Sequence, residues 1–221
     1  MKVVEVFTSI DGEGKRTGQL ATFIRLAGCN LRCTYCDTRY SFDESKAFEA
    51  TIEEIVNTCK QQGVHNVTLT GGEPLLNAQD AYRLIVALCH AGFQVNVETN
   101  GSIDLRPFIK ARQEEDLDVF FTVDYKCLCS RMNDYMRVHS FDCLDVSKDI
   151  VKIVVENTSD IIDALNYLDA LKRPFNIWIS PVFGKMDPKD IVKFMLETNR
   201  QDLTVQVQLH KIIWDPNERG V

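Results

Sequence analysis

Three cysteines stand close together near the amino end of the chain, as Cys29, Cys33 and Cys36. Thiolates at such short intervals are typical ligands of iron-sulfur clusters and of zinc. A cubic cluster has four irons, so three thiolates leave one iron open to bind a small molecule, whereas a fourth would close the cluster for electron transfer. The spacing therefore predicts a [4Fe-4S] cluster with one open iron, and with it an enzyme.

A zinc knuckle or a set of free thiols is the alternative interpretation of these cysteines. A zinc site needs a fourth Cys or His ligand close by, and the next candidates along the chain are Cys59 and His65. Because these candidates are far from the three cysteines in the sequence, we favour the cluster over a zinc site.

A second cysteine group, formed by Cys127, Cys129 and Cys143 with His139 between them, invites a second cluster. A two-residue offset is tight for chelation of a cluster, and no fourth cysteine follows nearby. We therefore favour a single cluster in this chain.

The segment Thr70-Gly71-Gly72-Glu73-Pro74 carries two adjacent positions without a Cβ atom next to a carboxylate. Such positions let the main chain approach a ligand, while the acid can accept hydrogen bonds from an ammonium group. An ordinary strand-to-helix turn with a glutamate in the first helical turn is the alternative. The presence of the cysteine loop in the same chain favours the ligand-binding interpretation.

Length and composition predict one compact domain over residues 1–221, because 221 residues with 45% hydrophobic content can bury a sizeable core. A net charge of -7 provides no general basic field for nucleic acid and favours a small-molecule substrate. Eight cysteines, no signal-peptide pattern and no long apolar run predict a reducing, cytoplasmic location without membrane insertion.

Strand-like runs alternate with helical periodicity from about residue 50 onward, which is typical of a parallel sheet covered by crossover helices. The predicted strands are residues 20–26, 67–70, 93–98, 119–123, 150–155, 175–179 and 203–209. The predicted helices begin at Thr51 with a capping box and continue along the chain at residues 77–91, 159–172 and 188–198. Residues 124–149 are predicted to be a loop that covers part of the site.

Distinctive residues follow four of these strands, namely Cys29, Gly71-Gly72-Glu73-Pro74, Thr99-Asn100-Gly101 and Lys126. The carboxyl ends of parallel strands build the reaction site in barrels and open α/β sheets, so these residues should share one rim. A complete eight-unit barrel needs about 250 residues. We therefore predict an α/β fold with a partial, incomplete β/α barrel and a mostly parallel sheet.

The cysteine loop and the Gly71-Gly72-Glu73 segment resemble those of the radical S-adenosylmethionine (SAM) superfamily. From end to end, the chain resembles the 7-carboxy-7-deazaguanine synthase family of queuosine biosynthesis, on residues 5–14, 23–29, 97–101 and 208–211. Two positions depart from that family: Asp11 replaces the usual Gln, and Asp124-Tyr125-Lys126 replaces a frequent Ser-Pro-Lys.

The resemblance implies conversion of 6-carboxy-5,6,7,8-tetrahydropterin to 7-carboxy-7-deazaguanine with loss of ammonia. The implied route is hydrogen abstraction by a 5'-deoxyadenosyl radical followed by Mg2+-assisted ring contraction. It also implies an electron donor such as flavodoxin or ferredoxin, and a homodimer. A radical-generating activating enzyme for a glycyl-radical protein is the main alternative, and a non-enzymatic zinc or iron-sulfur scaffold is a second one.

The resemblance also assigns residues to the site. Cluster ligands would be Cys29, Cys33 and Cys36, and the Mg2+ ligand would be Thr38, for which a turn cap is the alternative role. Substrate contacts would come from Ile10, Asp11, Gly12, Arg25, Thr70 and Val221. SAM contacts would come from Tyr35, Cys36, Asp37, Gly72, Glu73, Asp124, Tyr125, Lys126, Ser180, Pro181, Val182 and Phe183.

Arg25 suits its implied role, since a guanidinium group holds a carboxylate by two parallel hydrogen bonds. The free carboxylate of Val221 could accept from amino and ring N–H groups of the substrate. We expect the tail, residues 210–221, to close the site, with His210 and Lys211 either contacting substrate or anchoring the tail.

Overall fold

Nine strands form one sheet in the computed structural model, which describes residues 1–216 and 218–221. The strands are β1 (Lys2–Ile10), β2 (Leu20–Leu26), β3 (Phe48–Glu49), β4 (Asn66–Gly71), β5 (Gln94–Thr99), β6 (Val119–Tyr125), β7 (Ile150–Val155), β8 (Ile177–Pro181) and β9 (Leu203–Val205). Their spatial order is β3-β1-β2-β4-β5-β6-β7-β8-β9. Strand β1 pairs antiparallel with both neighbours, and all pairings from β2 to β9 are parallel.

Helices connect most of the parallel strands, as crossover geometry requires. They are α1 (Ile52–Gln62), α2 (Ala78–His90), α3 (Arg106–Glu114), α4 (Thr158–Ala170), α5 (Pro188–Thr198) and α6 (His210–Ile213). The predicted capping box is present at the start of α1, where the Thr51 side chain and the Glu54 side chain bond each other's backbone N–H groups. Within the described ranges, no helix is long and apolar enough to cross a membrane.

The predicted α/β fold with a partial barrel and a mostly parallel sheet is confirmed. The sheet is open, because its edge strands β3 and β9 do not pair with each other. Strands β2 and β7 and helix α5 have the predicted bounds. Strand β8 lies two residues later than predicted. Strand β9 ends at Val205 instead of residue 209, and the side chain of Gln206, the next residue, accepts a hydrogen bond from Gly14 N at 2.8 Å.

Four elements were missed by sequence reasoning: β1, the two-residue β3, α3 and the four-residue α6. Strand β1 contains both polar and apolar residues that are only half buried, so its pattern is weaker than that of a core strand. Helix α3 is short and carries a proline in its first turn, yet it buries Phe108 and Ile109. Proline fits the first helical turn, because the N–H that it lacks has no partner there in any case.

The predicted loop between β6 and β7 contains only short 3-10 turns, at Leu128–Ser130, Asn133–Tyr135 and Val138–Ser140. A buried ion pair holds the carboxyl end of this loop to α3. Both terminal nitrogens of Arg112 donate to Asp149, at 2.6 and 3.1 Å, and the two side chains are 3% and 0% exposed. Asp149 also accepts from the backbone N–H groups of Phe121 and Asp145.

We predict that Asp149→Ala lowers the free energy of unfolding by about 3–5 kcal/mol, because it leaves a buried guanidinium group without its counter-charge. The measurement is urea unfolding of the purified chain. Asp104→Ala is the matched control, because it breaks an exposed ion pair with Arg106, which water screens, and should change stability far less. Equal losses in the two variants would contradict this prediction.

Candidate functional site

A cavity of about 670 Å³ opens at the carboxyl ends of the parallel strands. Of the residues predicted to share this rim, Cys29, Gly72, Asn100 and Lys126 line the cavity, each beyond the end of a different strand, whereas Glu73, Pro74 and Gly101 do not line it. Of the residues assigned from sequence, it is also lined by Ile10, Asp11, Gly12, Arg25, Cys33, Tyr35, Cys36, Asp37, Thr38, Thr70, Asp124, Val182, Phe183 and Val221.

The cysteine loop lies along one wall of this cavity, and its three thiols are partly exposed and free of disulfides. Backbone contacts within the loop hold the cysteines in place: Leu31 N lies 3.4 Å from Cys29 Sγ, and Cys36 N donates to Cys33 O at 3.3 Å. Burial raises the pKa of the thiols of Cys29 and Cys33, and for Cys33 the ammonium group of Lys126 opposes this effect. The thiols are therefore accessible to metal from the cavity side.

The glycine turn after β4 packs directly against the cysteine loop. A Cβ atom on Gly72 would lie 2.0 Å from the carbonyl oxygen of Gly28 and 2.9 Å from Cys29 Cβ. In the same contact, Glu73 N donates to Gly28 O at 2.8 Å. Any side chain at residue 72 would therefore push the two loops apart, so glycine is required by close approach.

The carboxylate of Glu73 is 1% exposed and fully occupied by protein donors. It accepts from Leu75 N at 2.9 Å, Thr99 Oγ1 at 2.8 Å and Asn100 N at 2.7 Å. Burial raises the pKa of Glu73 to about 7, while these hydrogen bonds act in the opposite direction. In this structure Glu73 joins the glycine turn to the turn after β5 and does not line the cavity.

Asn100 was not assigned a role from sequence, yet it contacts the cysteine loop. Its side-chain nitrogen lies 3.0 Å from Asn30 Oδ1 and 3.8 Å from Cys29 Sγ. Its position directly after a strand placed it on the predicted rim, but the sequence did not indicate its side-chain contacts.

A second wall of the cavity, next to Tyr35 of the cysteine loop, carries alternating charges. Lys126 Nζ lies 2.6 Å from Asp124 Oδ2, and Lys152 Nζ lies 3.4 Å from Asp124 Oδ1 and 3.5 Å from Glu13 Oε2. Burial alone would lower the pKa of Lys152, but Asp124 and Glu13 raise it well above its ordinary value. Lys152 was missed by sequence reasoning, although one charged residue in the otherwise apolar strand β7 was a detectable signal.

Two buried polar oxygens at this wall make no hydrogen bond to the described residues: Tyr35 Oη and Asp124 Oδ1, the second of which has only its ion-pair contact with Lys152. Buried polar groups are normally hydrogen-bonded. Tyr35 lies beside Lys126, whose ammonium group is 5.9 Å from the centre of the ring. Buried oxygens without a hydrogen bond mark this wall as one that can bind a polar ligand.

Arg25 and Thr70 project into the cavity from neighbouring strands, with Glu98 close to Thr70. Thr70 Oγ1 lies 3.3 Å from Glu98 Oε2, and burial raises the pKa of Glu98. Glu98 was not assigned from sequence, although it lies in the motif that carried the resemblance. The carboxylate of Asp11 is occupied within the protein, accepting from Arg16 Nε at 2.8 Å and Thr68 Oγ1 at 2.7 Å.

Some assigned residues reach the cavity only indirectly. The Tyr125 ring packs in the core against Phe141 and Tyr167, and its hydroxyl lies 3.3 Å from Asp163 Oδ2. The cavity lining does not include Tyr125, Ser180 or Pro181. Ser180 Oγ instead donates to Glu13 Oε1 at 2.7 Å, which orients a carboxylate that does line the cavity.

The carboxyl end of the chain crosses the mouth of the cavity. Leu209 N donates to Gly12 O at 3.0 Å, and a Cβ on Gly12 would lie 2.0 Å from His210 Nδ1. Lys211 Nζ bonds Asp37 Oδ2 in the cysteine loop at 2.8 Å. The tail thus contacts both the loop before β2 and the loop after it.

The later cysteines have separate contacts. The thiols of Cys127, Cys129 and Cys143 lie nearest to three different backbone carbonyls, those of Tyr125, Val154 and His139. Over residues 1–216 and 218–221, no group of three or more His, Cys, Asp or Glu side chains converges closely enough to hold one metal ion.

Comparison with known proteins identifies the family to which this chain belongs. Residues 23–195 match the family model described as the Radical SAM superfamily. A 7-carboxy-7-deazaguanine synthase of Clostridium acetobutylicum is 44% identical over 223 residues, covering 100% of this chain and 99% of that protein. The 7-carboxy-7-deazaguanine synthase of Methanospirillum hungatei is 37% identical, covering 98% and 86%.

Solved structures share the fold. The crystal structure of QueE from Escherichia coli superposes with a TM-score of 0.72 at 24% identity, covering 94% of this chain and 93% of that one. SuiB of Streptococcus suis bound to S-adenosylmethionine has a TM-score of 0.55 at 16% identity, covering 84% and 51%. From the sequence relatives, this chain is an enzyme of the radical SAM superfamily and belongs to the 7-carboxy-7-deazaguanine synthase family.

Proposed function

We propose that this enzyme converts 6-carboxy-5,6,7,8-tetrahydropterin to 7-carboxy-7-deazaguanine with loss of ammonia. One observation carries the proposal: the cysteine loop, the glycine turn and Arg25 line the same cavity. Its relatives carry the name of this synthase over their full length, which supports the same assignment.

We propose that Cys29, Cys33 and Cys36 hold the [4Fe-4S] cluster. Each thiolate of such a cluster binds a different iron, so the sulfurs need not converge on one point as zinc ligands do. When bound, the cluster and SAM supply the radical that removes a hydrogen atom from the substrate. The protein's own share is to bind, orient and shield the reactants.

The SAM site would lie between the glycine turn and the charged wall. Gly72 lines the cavity, and Glu73 fixes the turn from behind because its carboxylate already has three donors. Tyr35 Oη makes no hydrogen bond to the described residues, and Asp124 Oδ1 has only its contact with Lys152, which fits polar groups of a nucleoside and an amino acid. Lys126 provides a cation for a carboxylate. Val182 and Phe183, which line the cavity, would complete the adenosine side, while Ser180 acts only through Glu13.

The substrate site would lie across the cavity, at Arg25. Its guanidinium group suits the substrate carboxylate, and Glu98 suits the amino and ring N–H groups of a pterin, which need acceptors. Ile10 and Gly12 would contribute backbone groups, as would Asp11, whose side chain is already bonded to Arg16. Thr70 and the carboxylate of Val221 would complete the set.

Mg2+ would bind at Thr38, beside the cluster. The Thr38 side chain makes no capping hydrogen bond to the following 3-10 turn, which argues against the turn-cap alternative. Its hydroxyl lies 3.7 Å from Cys36 Sγ and lines the cavity. One neutral oxygen is a weak site, so Mg2+ would need the substrate carboxylate and water to complete its coordination.

The alternative activating enzyme would need an open groove for a peptide. The tail crosses the cavity mouth through the contacts of Leu209 and Lys211, which supports a small substrate instead. We propose that residues 210–221 close the site and that electrons come from an external donor such as flavodoxin or ferredoxin. A homodimer stays a prediction of the resemblance.

We predict that the cluster-loaded enzyme forms 7-carboxy-7-deazaguanine anaerobically from the carboxytetrahydropterin, SAM, reductant and Mg2+, measured by chromatography. Cys33→Ala is the control and should lose both product and SAM cleavage, because the cluster loses a ligand. SAM cleavage without this product would reject the substrate assignment, and absence of SAM cleavage would reject the radical chemistry.

We predict that Thr38→Ala removes most of the stimulation of kcat/KM by Mg2+, whereas Thr38→Ser retains it, because serine keeps the ligand hydroxyl. The measurement is turnover across a Mg2+ titration. If the alanine variant keeps the full Mg2+ response, the cation binds elsewhere.

We predict that Lys211→Ala lowers kcat/KM for the pterin by about tenfold, because the tail loses its ion pair with Asp37 and closes the site less often. Lys193→Ala, which breaks only an exposed pair with Glu197 on α5, is the control and should leave kcat/KM unchanged. An unchanged kcat/KM in Lys211→Ala would show that the tail does not close the site through this pair.

A further inference from the structure

Arg25 is held from behind by an acidic residue of the neighbouring strand. Glu5 and Arg25 are directly opposite each other in the antiparallel pairing of β1 with β2. Arg25 Nε donates to Glu5 Oε1 at 2.7 Å, and the side chains are 13% and 22% exposed. Pairs directly opposite on adjacent strands are the closest contacts in a sheet, so the backbone itself sets this geometry.

The nitrogen that Glu5 engages decides which part of Arg25 is free. Nε is the only Arg25 side-chain nitrogen with a hydrogen-bond partner among the described residues. The two terminal nitrogens, whose parallel N–H groups match the two oxygens of a carboxylate, therefore remain available. Arg25 lines the cavity, whereas Glu5 does not, so Glu5 would not itself contact a substrate.

Tyr40 fixes the orientation of Glu5. Its hydroxyl donates to the same oxygen, Glu5 Oε1, at 2.8 Å, and burial raises the pKa of Tyr40 to about 12, so the hydroxyl keeps its proton near neutral pH. The guanidinium carbon of Arg25 lies 5.8 Å from the centre of the Tyr40 ring. That of Arg219, two residues before Val221, lies 3.9 Å from the same centre.

We propose that Glu5 is the positioning residue that aims the free edge of Arg25 at the substrate carboxylate, with Tyr40 holding Glu5 in place. Tyr40 also receives Arg219, so the same ring links the substrate arginine to the end of the tail that carries Val221. This inference rests on the proposed function, since it specifies how Arg25 recognises the carboxylate.

The test compares two ligands that differ in the carboxylate: 6-carboxy-5,6,7,8-tetrahydropterin and 6-methyl-5,6,7,8-tetrahydropterin. Binding is measured by anaerobic calorimetry on cluster-loaded enzyme with SAM and Mg2+ but no reductant, so that no turnover occurs. We expect Glu5→Ala to weaken binding of the carboxylated ligand by about tenfold and of the methyl ligand by less than about twofold. A change in the orientation of Arg25 should weaken binding only of the ligand whose carboxylate contacts Arg25.

Conservative variants distinguish a loss of Arg25 orientation from a general loss of protein stability. Glu5→Gln keeps an oxygen that can accept from Nε and should retain most of the selectivity for the carboxylated ligand. Tyr40→Phe keeps the ring and loses the hydroxyl, so it should show a smaller selective loss than Glu5→Ala. Glu114→Ala, which breaks an exposed pair with Lys110 on α3, is the control and should bind both ligands as the unchanged enzyme does.

Arg25→Ala distinguishes failure of this inference from failure of the proposed function. If Arg25→Ala weakens only the carboxylated ligand while Glu5→Ala weakens both equally or neither, the inference is wrong and the role of Arg25 stands. If Arg25→Ala weakens both ligands equally, Arg25 does not recognise the carboxylate, and both the substrate site and the inference are rejected.

Discussion

The site depends on one close approach, that of the glycine turn after β4 to the cysteine loop after β2. At Gly72 the main chain comes so near to the Gly28 carbonyl that no side chain fits between them. The parallel pairing of β2 with β4 brings the two loops to the same rim, and Glu73 then joins the glycine turn to the next loop along. Backbone contacts thus set the distance between the cysteine loop and the glycine turn.

Charge is the second constraint on the cavity. Its walls bury both acids and bases, and partners of opposite sign shift the pKa of Asp124 downward and those of Lys126 and Lys152 upward, which favours their charged forms. Unpaired buried charges are costly, so removal of any member would leave its neighbours to find new partners. This mutual dependence keeps the wall rigid, and rigid dipoles and charges orient a ligand without having to reorganise when it binds.

The sequence alone predicted the features that depend on local pattern. Alternation of strands and helices, the capping box of α1 and the placement of Cys29, Gly72 and Lys126 at strand ends all follow from spacing, and the structure has them. Side-chain partners could not be predicted in the same way, because they depend on contacts between distant residues. The pairing of Asp11 with Arg16, the engagement of Glu73 by three donors and the burial of the Tyr125 ring in the core are of this kind.

The open sheet has a consequence for how a substrate enters. The segment after its last strand and its first loop form a seam, in which Gln206 bonds Gly14, Gln208 bonds Glu13 and Leu209 bonds Gly12. Elsewhere in the sheet, neighbouring parallel strands are joined by a ladder of backbone hydrogen bonds. Because the seam has fewer bonds, we expect local opening to cost the least free energy there. The two sides of this seam, residues 12–14 and 206–209, are far apart in the sequence, and their contact lies outside the ladder of paired strands.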